Sequence, residues 1–200
     1  MKYLLTSLSL FVSLALFVGS AMADDISLGE PGYGGTGCPQ GSASATLSPD
    51  GKELSIIFDQ FVVEAGGATR RSIGRKSCNV SIPVHVPGGF SISLIDADYR
   101  GYVMLPRSAS ATFTAEYFFA GQRGPMFSKV FSGPTDTDYT LEDTLGIFAN
   151  VWSACGTDVN LRVNASMRVM TRLNQEALAT VDSADFSAGI VYRIAFRRCH

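Results

Sequence analysis

"FSISLIDADYRGYV", residues 90–103, constrains the fold more than any other stretch of the chain. Positions 90, 92 and 94 are apolar, whereas positions 96, 98 and 100 are charged and the apolar residues move to 95, 97 and 99. Successive side chains of a strand point to opposite faces, so a regular strand cannot keep both apolar sets in one core. We therefore predict a β-bulge or a change of sheet at Leu94 and Ile95.

This change of parity predicts a charged surface. Beyond it, Ile95, Ala97 and Tyr99 should face the core, and Gly101 should permit a turn or a close backbone contact. The candidate binding surface comprises Asp96, Asp98, Arg100 and Tyr102.

The two aspartates are also candidates for acid–base chemistry. They would lie about 6.6 Å apart along a strand, a separation that glycosidase carboxylates can have. A neighbouring arginine favours ionised carboxylates, however, whereas a general acid must hold its proton. We therefore favour a surface ion cluster over a catalytic pair and assign no catalytic residue.

Alternation of apolar and polar residues predicts further strands. It is found in CNVSIPVHV (78–86), ATFTAEYFF (111–119), NLRVNASMRV (160–169) and GIVYRIAF (189–196). Residues 43–47 and 54–58 flank a Pro-Asp-Gly turn and predict a hairpin. Pro83 cannot donate to a ladder, so its strand should be at an edge or bulged. Only residues 173–181 suggest a turn or two of helix.

Many short strands, Gly/Pro turns and the absence of strand–helix alternation predict an all-β fold. We expect an antiparallel, jelly-roll-like β-sandwich with two disulfides. Residues 24–37 are Gly-rich and without periodicity, which predicts a flexible lead-in to a single domain over residues 38–200.

The first residues predict export. Residues 1–23 combine Lys2, an apolar run and a small-residue cleavage site ending at Ala23, which is typical of a secretory signal peptide. No later run has the roughly 18 apolar residues of a membrane span. We expect a secreted protein, extracellular or in the periplasm or cell envelope.

Export favours disulfides between the four cysteines. Four cysteines allow three connectivities, which the sequence alone does not distinguish. We favour Cys38–Cys78 and Cys155–Cys199, each closing about 40 residues and contributing roughly 3–4 kcal/mol. No two cysteines have zinc-knuckle spacing.

Charge argues against a nucleic-acid partner. The net charge is −2, and the most basic segment, containing Arg70, Arg71, Arg75 and Lys76, is interpreted as a solvated loop. A second acidic stretch, GPTDTDYTLED (133–143), offers Asp136, Asp138, Glu142 and Asp143 as possible Ca²⁺ ligands. Because an EF-hand glycine and flanking helices are missing, we interpret it as an ordinary loop and predict no metal or cofactor.

Nine short motifs, in order, resemble one family: the secreted family known as domain of unknown function 4360. They are GCPQGS (37–42), FDQF (58–61), RKSC (75–78), VPGGF (86–90), DYRGY (98–102), EYFFAGQ (116–122), FSGPTDTDY (131–139), WSACG (152–156) and FRRC (196–199). The resemblance implies an exported protein with cysteines at the family's positions, and it implies no activity. Phe196 stands where Trp is expected.

The sequence favours a secreted, non-catalytic binding or structural module. An extracellular glycan or protein is the expected class of partner. The alternative is an extracellular polysaccharide hydrolase using Asp96, Asp98 or Glu116. A third possibility is a secreted factor that acts on a host or competitor protein.

Overall fold

The structure is a computed structural model that describes residues 27–49, 53–144, 152–181 and 190–199. The predicted signal peptide lies outside these residues. Within them, the strands are β1 Ser27–Leu28, β2 Gly32–Gly34, β3 Ala43–Leu47, β4 Glu53–Phe58, β5 Val62–Ala65, β6 Ile73–His85, β7 Phe90–Leu105, β8 Ser110–Phe119, β9 Met126–Ser132, β10 Thr135–Thr144, β11 Val159–Met170, β12 Ala177–Thr180 and β13 Ile190–Arg198. A short 3-10 turn spans Gly67–Thr69.

The strands form two antiparallel sheets, which confirms the predicted all-β fold. Sheet A has the order β1-β6-β11-β8-β9, with β2 also paired to β6. Sheet B has the order β3-β4-β13-β7-β12-β5, and β10 pairs with the other edge of β7. In the described ranges, no helix has the length and apolar character needed to cross a membrane.

The predicted alternation places the core between the sheets. The inward residues of β6, β8 and β11 are all at most 3% exposed, as alternation required. They are Cys78, Val80, Ile82, Val84, Phe113, Ala115, Tyr117, Phe119, Leu161, Val163, Ala165, Met167 and Val169. Sheet B contributes Ile56, Phe58, Ile92, Ala97, Tyr99, Val103 and Leu105 from the other side. The predicted hairpin is also present, as β3 and β4.

The change of parity in β7 is resolved by the predicted β-bulge. Arg193 of β13 pairs with Asp96, but the next residue, Ile194, pairs with Leu94, which leaves Ile95 as the extra residue. Beyond the bulge, Tyr99 is fully buried. The close contact predicted at Gly101 is also present, because a Cβ there would lie 2.3 Å from the Thr180 carbonyl oxygen.

Three local expectations differ from the structure. The supposed flexible lead-in includes β1 and β2, which pair with β6. The supposed helical segment contains β12 instead, because pairing with β5 and β7 buries Ala177 and Ala179 and overrides the helix propensity of the segment. Pro83 does not lie at a free edge. Its carbonyl accepts from Gly29 N at 2.8 Å, so its missing N–H faces the interval between β1 and β2.

Both favoured disulfides are present and anchor two segments of the chain. Cys38–Cys78 connects the residues after β2 to β6, and Cys155–Cys199 connects the end of the chain to the segment before β11. That segment also contacts the first half of β7, where Ser153 N donates to Ile92 O at 2.9 Å. Ser91 and Ser93 are therefore buried.

A tyrosine pair joins the two sheets inside the core. The hydroxyls of Tyr99 in sheet B and Tyr117 in sheet A are hydrogen-bonded to each other, and Tyr117 donates to Asp143 Oδ2 at 2.9 Å. The Tyr99 ring also packs against Phe113 and Phe127, at centroid distances of 4.6 and 5.8 Å. A buried hydroxyl requires a partner, so this chain of hydrogen bonds specifies how the sheets face each other.

We expect Tyr117→Phe to lower the free energy of unfolding by about 1–3 kcal/mol, because it removes the hydroxyl between two buried or half-buried polar groups. Chemical denaturation measures the loss. Tyr33→Phe is the matched control, since the Tyr33 hydroxyl accepts an exposed hydrogen bond from Gly41 N. Equal losses in the two variants would contradict the structural role of the Tyr99–Tyr117 pair.

Candidate functional site

The predicted surface residues of β7 do lie on the outer face of sheet B. Asp98 and Tyr102 are half-buried, and Arg100 is exposed. Asp96 occupies an outward position of β7 as well, but its side chain is outside the described part of the chain. The bulge at Ile95 produces this arrangement, because without it the charged residues would face the core.

The second acidic stretch is a strand, and the prediction of a loop was wrong. β10 pairs with β7 over ten residues in continuous register, from Thr135 opposite Leu105 to Thr144 opposite Asp96. Its apolar residues Tyr139 and Leu141 face the core, which explains why a chain rich in Asp and Thr adopts this strand. Asp143 has the inward parity and accepts from Tyr117.

This pairing brings together two acidic segments that are distant in the sequence. Glu142 lies directly opposite Asp98, and Asp138 lies directly opposite Tyr102. Asp136 is one diagonal step away and accepts a hydrogen bond from the Tyr102 hydroxyl at 2.5 Å. We call this surface the acidic face; it consists of Asp98, Arg100, Tyr102, Asp136, Asp138 and Glu142.

Carboxylates outnumber basic side chains on the acidic face. Arg100 is the one basic residue among the described outward positions of β7 and β10. Asp98 and Glu142 lie directly opposite each other, and on the other edge of β7 the register places Arg193 of β13 opposite Asp96. With four carboxylates and one arginine, the face has a negative formal charge, which favours cations.

Tyr102 lies next to two of these carboxylates, Asp136 and Asp138. Its hydrogen bond to Asp136 raises the pKa of its phenol above the ordinary value, with smaller contributions from desolvation and from the charges of Asp136 and Asp138. The cause is physical, because the neutral hydroxyl donates to a carboxylate, whereas a phenolate would lie beside two negative charges.

The structure shows a histidine–aspartate pair that the sequence did not reveal. His85 Nδ1 lies 2.8 Å from Asp158 Oδ1, which also accepts from Val86 N at 3.2 Å. The register explains this pair, since Val84 pairs with Val159, and in an antiparallel pair the residue after Val84 lies opposite the residue before Val159. Gly29, Pro83 and Asn160 help line a depression of about 280 Å³ there. Among the described residues that line it, there is no Ser, Thr, Cys or Lys.

Other candidate groups lie apart from the acidic face. Glu116, a residue of the hydrolase alternative, projects from the outer face of sheet A, on the opposite side of the sandwich from Asp98. Trp152 is half-buried, with the Arg197 guanidinium 4.1 Å from its ring centroid. Across the described ranges, no three His, Cys, Asp or Glu side chains are placed to hold a metal ion.

Comparison with known proteins identifies the family. The family described as "Domain of unknown function (DUF4360)" matches residues 24–199. The chain belongs to this family. It is also 38% identical over 169 residues to an "Uncharacterized secreted protein" of Arthroderma benhamiae, a match that covers 84% of this chain and 69% of that protein. The two disulfides agree with export, and the protein is secreted.

We expect Asp136→Asn to lower the pKa of Tyr102 toward its ordinary value of about 10, because the substitution removes both the charge and the strongest acceptor. NMR titration of ring-labelled tyrosine, with Tyr102→Phe to assign the signal, measures the shift. Glu142→Gln, on the same face but not bonded to the phenol, should change it less. An unchanged Tyr102 titration in Asp136→Asn would contradict this origin of the raised pKa.

Proposed function

We propose that the protein is a non-catalytic binding module that acts outside the cell and holds a cationic partner on the acidic face. The observation that carries the proposal is the side-by-side pairing of β7 and β10. It places four carboxylates, Asp98, Asp136, Asp138 and Glu142, on one surface with a single arginine.

The electrostatics support a cationic partner in particular. A positive group that approaches this face is attracted by the summed charge of its four carboxylates. Tyr102 adds an aromatic ring with a polar tip, which suits a surface that is half covered on binding. Arg100 restricts where a second positive group can lie, and so contributes selectivity.

The position of the face in the fold also supports binding. β7 has partners on both edges, and its inward side chains are in the core. The outward side chains of β7 and β10 are therefore held on a rigid part of the sandwich, a good position for a recognition surface.

The hydrolase alternative has weaker support. Asp98 and Glu116 project from different sheets, so they do not reach the same substrate bond. Directly opposite residues such as Asp98 and Glu142 have Cβ atoms about 5 Å apart, which is compatible with the carboxylate spacing of a retaining glycosidase. Glu142 is exposed, however, and a general acid usually needs an environment that excludes water.

Binding of oligolysine tests the proposal. We expect salt-dependent binding that weakens about tenfold, or about 1.4 kcal/mol, when Asp98, Asp138 and Glu142 are replaced together by Asn, Asn and Gln. Isothermal titration calorimetry at two salt concentrations measures it. The matched control is Glu116→Gln, which neutralises a carboxylate on the other sheet and should leave binding unchanged. Absence of binding at low salt, or equal loss in the control, would refute the proposal.

A panel of extracellular polysaccharides tests the alternative. We expect no release of reducing ends with the wild-type protein, because the paired carboxylates lie on a solvent-facing surface. Turnover that disappears in Asp98→Asn while the protein remains folded would establish a hydrolase and overturn our preference.

A further inference from the structure

The outer face of sheet A carries a cluster of arginines around two exposed apolar residues. On β6 and β11, Arg75 lies directly opposite Arg168, and Ile73 lies directly opposite Met170. The chains stay side by side beyond this point, since Thr171 N donates to Ser72 O at 2.9 Å. This brings Arg71 and Arg172 to the same end. We call these six residues the arginine patch.

Four arginines in the arginine patch outnumber the one acidic residue, Glu64, that lines a depression together with Arg71 and Arg75. The sequence predicted a solvated loop for its first segment, but Arg75 is part of β6. All four arginines are exposed, and none of their guanidinium groups bonds to another side chain in the described part of the protein. Ile73 and Met170 are 47% and 39% exposed, which is high for large apolar side chains. Arginine and methionine surrounding an apolar centre is the composition of a protein interface.

A complementary surface lies on sheet B, at one end of the acidic face. Met104, Pro106 and Pro134 line a depression of about 620 Å³, and Asp136 and Glu176 are also among its lining residues. Leu178 pairs with Met104 and adds to the apolar surface. An apolar centre bordered by acids therefore matches an apolar centre bordered by arginines.

We propose that the arginine patch of one molecule docks into the acid-bordered depression of a second copy. This inference rests on the proposed function, because it names the cationic partner of the acidic side of sheet B. The strands of the two surfaces lie on different sheets of the same molecule, and the turn between β11 and β12 contributes Arg172 to one surface and Glu176 to the other. The contact is therefore heterologous, and each added copy leaves one surface of each kind available for the next.

The charges favour this arrangement over a symmetric dimer. Two arginine patches placed together repel each other, as do two acidic faces, whereas one of each attracts. The small net charge of −2 opposes association only weakly. Docking would also cover Ile73 and Met170, the exposed apolar pair for which the single molecule provides no cover.

Sedimentation velocity of the secreted protein, with both disulfides intact, tests the proposal. We expect the sedimentation coefficient to rise with protein concentration up to about 1 mM. The association should weaken when salt is raised from about 0.1 to about 1 M, because the Debye length falls from about 10 to about 3 Å. A protein that stays monomeric throughout, or a species that stops at a dimer, would overturn the inference.

Charge reversals at exposed positions identify the surfaces. Arg168→Glu and Glu176→Lys should each weaken association at least about tenfold, and an equimolar mixture of the two should associate again because each keeps the surface that the other has lost. Arg162→Glu, further along β11 on the same outer face, is the matched control and should associate like the wild type. Circular dichroism verifies that each variant is folded. Association unaffected by either reversal, or a mixture that stays monomeric, would refute the contact.

Oligolysine separates this inference from the proposed function. Arg168→Glu leaves the acidic face intact, so it should still bind oligolysine after self-association is lost. If the wild type binds oligolysine but never self-associates, the second copy is the wrong partner and the binding module stands. If the wild type binds no oligolysine, and its self-association is insensitive to Glu176→Lys, both proposals fail.

Discussion

The register of β7 is the constraint on which the rest of the structure depends. This strand pairs with β13 and β12 along one edge and β10 along the other, and it contributes to both the core and the acidic face. Ile95, the extra residue in the pairing with β13, changes which side chains face inward. With it, Tyr99 reaches the core, and Asp98 and Arg100 face outward. Without it, the charges of Asp98 and Arg100 would both be buried, at a cost of several kcal/mol each.

The bulge turns Tyr99 toward the core, where it connects the two sheets. Tyr99 reaches across the core to Tyr117, which in turn donates to Asp143 at the end of β10. The strand that supplies the acidic face therefore also supplies the acceptor that ends this buried hydrogen-bond chain. Outward and inward residues of β10 are coupled through one backbone register, so a slip of one residue would exchange Asp138 and Tyr139 between surface and core.

Alternation predicted the parts of the fold whose residue types are unambiguous. β6, β8 and β11 alternate between apolar and polar residues over long runs, and their inward sets are confirmed. β10 was missed because its acidic and Thr residues are typical of turns, and only Tyr139 and Leu141 indicate a buried side. Its strand conformation depends on pairing with β7, a non-local interaction that local propensity does not contain.

Of the candidate site, only the residues that β7 contributes were predictable from the sequence. The outward set of β7 followed from parity, but the neighbours Asp136, Asp138 and Glu142 required the register between β7 and β10. The same limit applies to His85 and Asp158 and to the arginine patch, each assembled from strands that are distant in the sequence. A net charge of −2 summed over the chain conceals this separation of charge between the two outer faces.

That separation has a consequence for how the molecule meets others. One outer face of the molecule is acidic and the other carries the arginine patch. Two copies that meet through identical faces therefore repel each other, which disfavours symmetric pairing. A head-to-tail contact pairs opposite charges at every step, and it leaves the charge at each free end unchanged as copies are added. Growth is therefore limited by the free energy of a single contact and by protein concentration, rather than by accumulated charge. All contacts in the assembly are the same contact between an arginine patch and a depression, so salt weakens each of them to the same extent. Salt concentration therefore controls the length of the assembly.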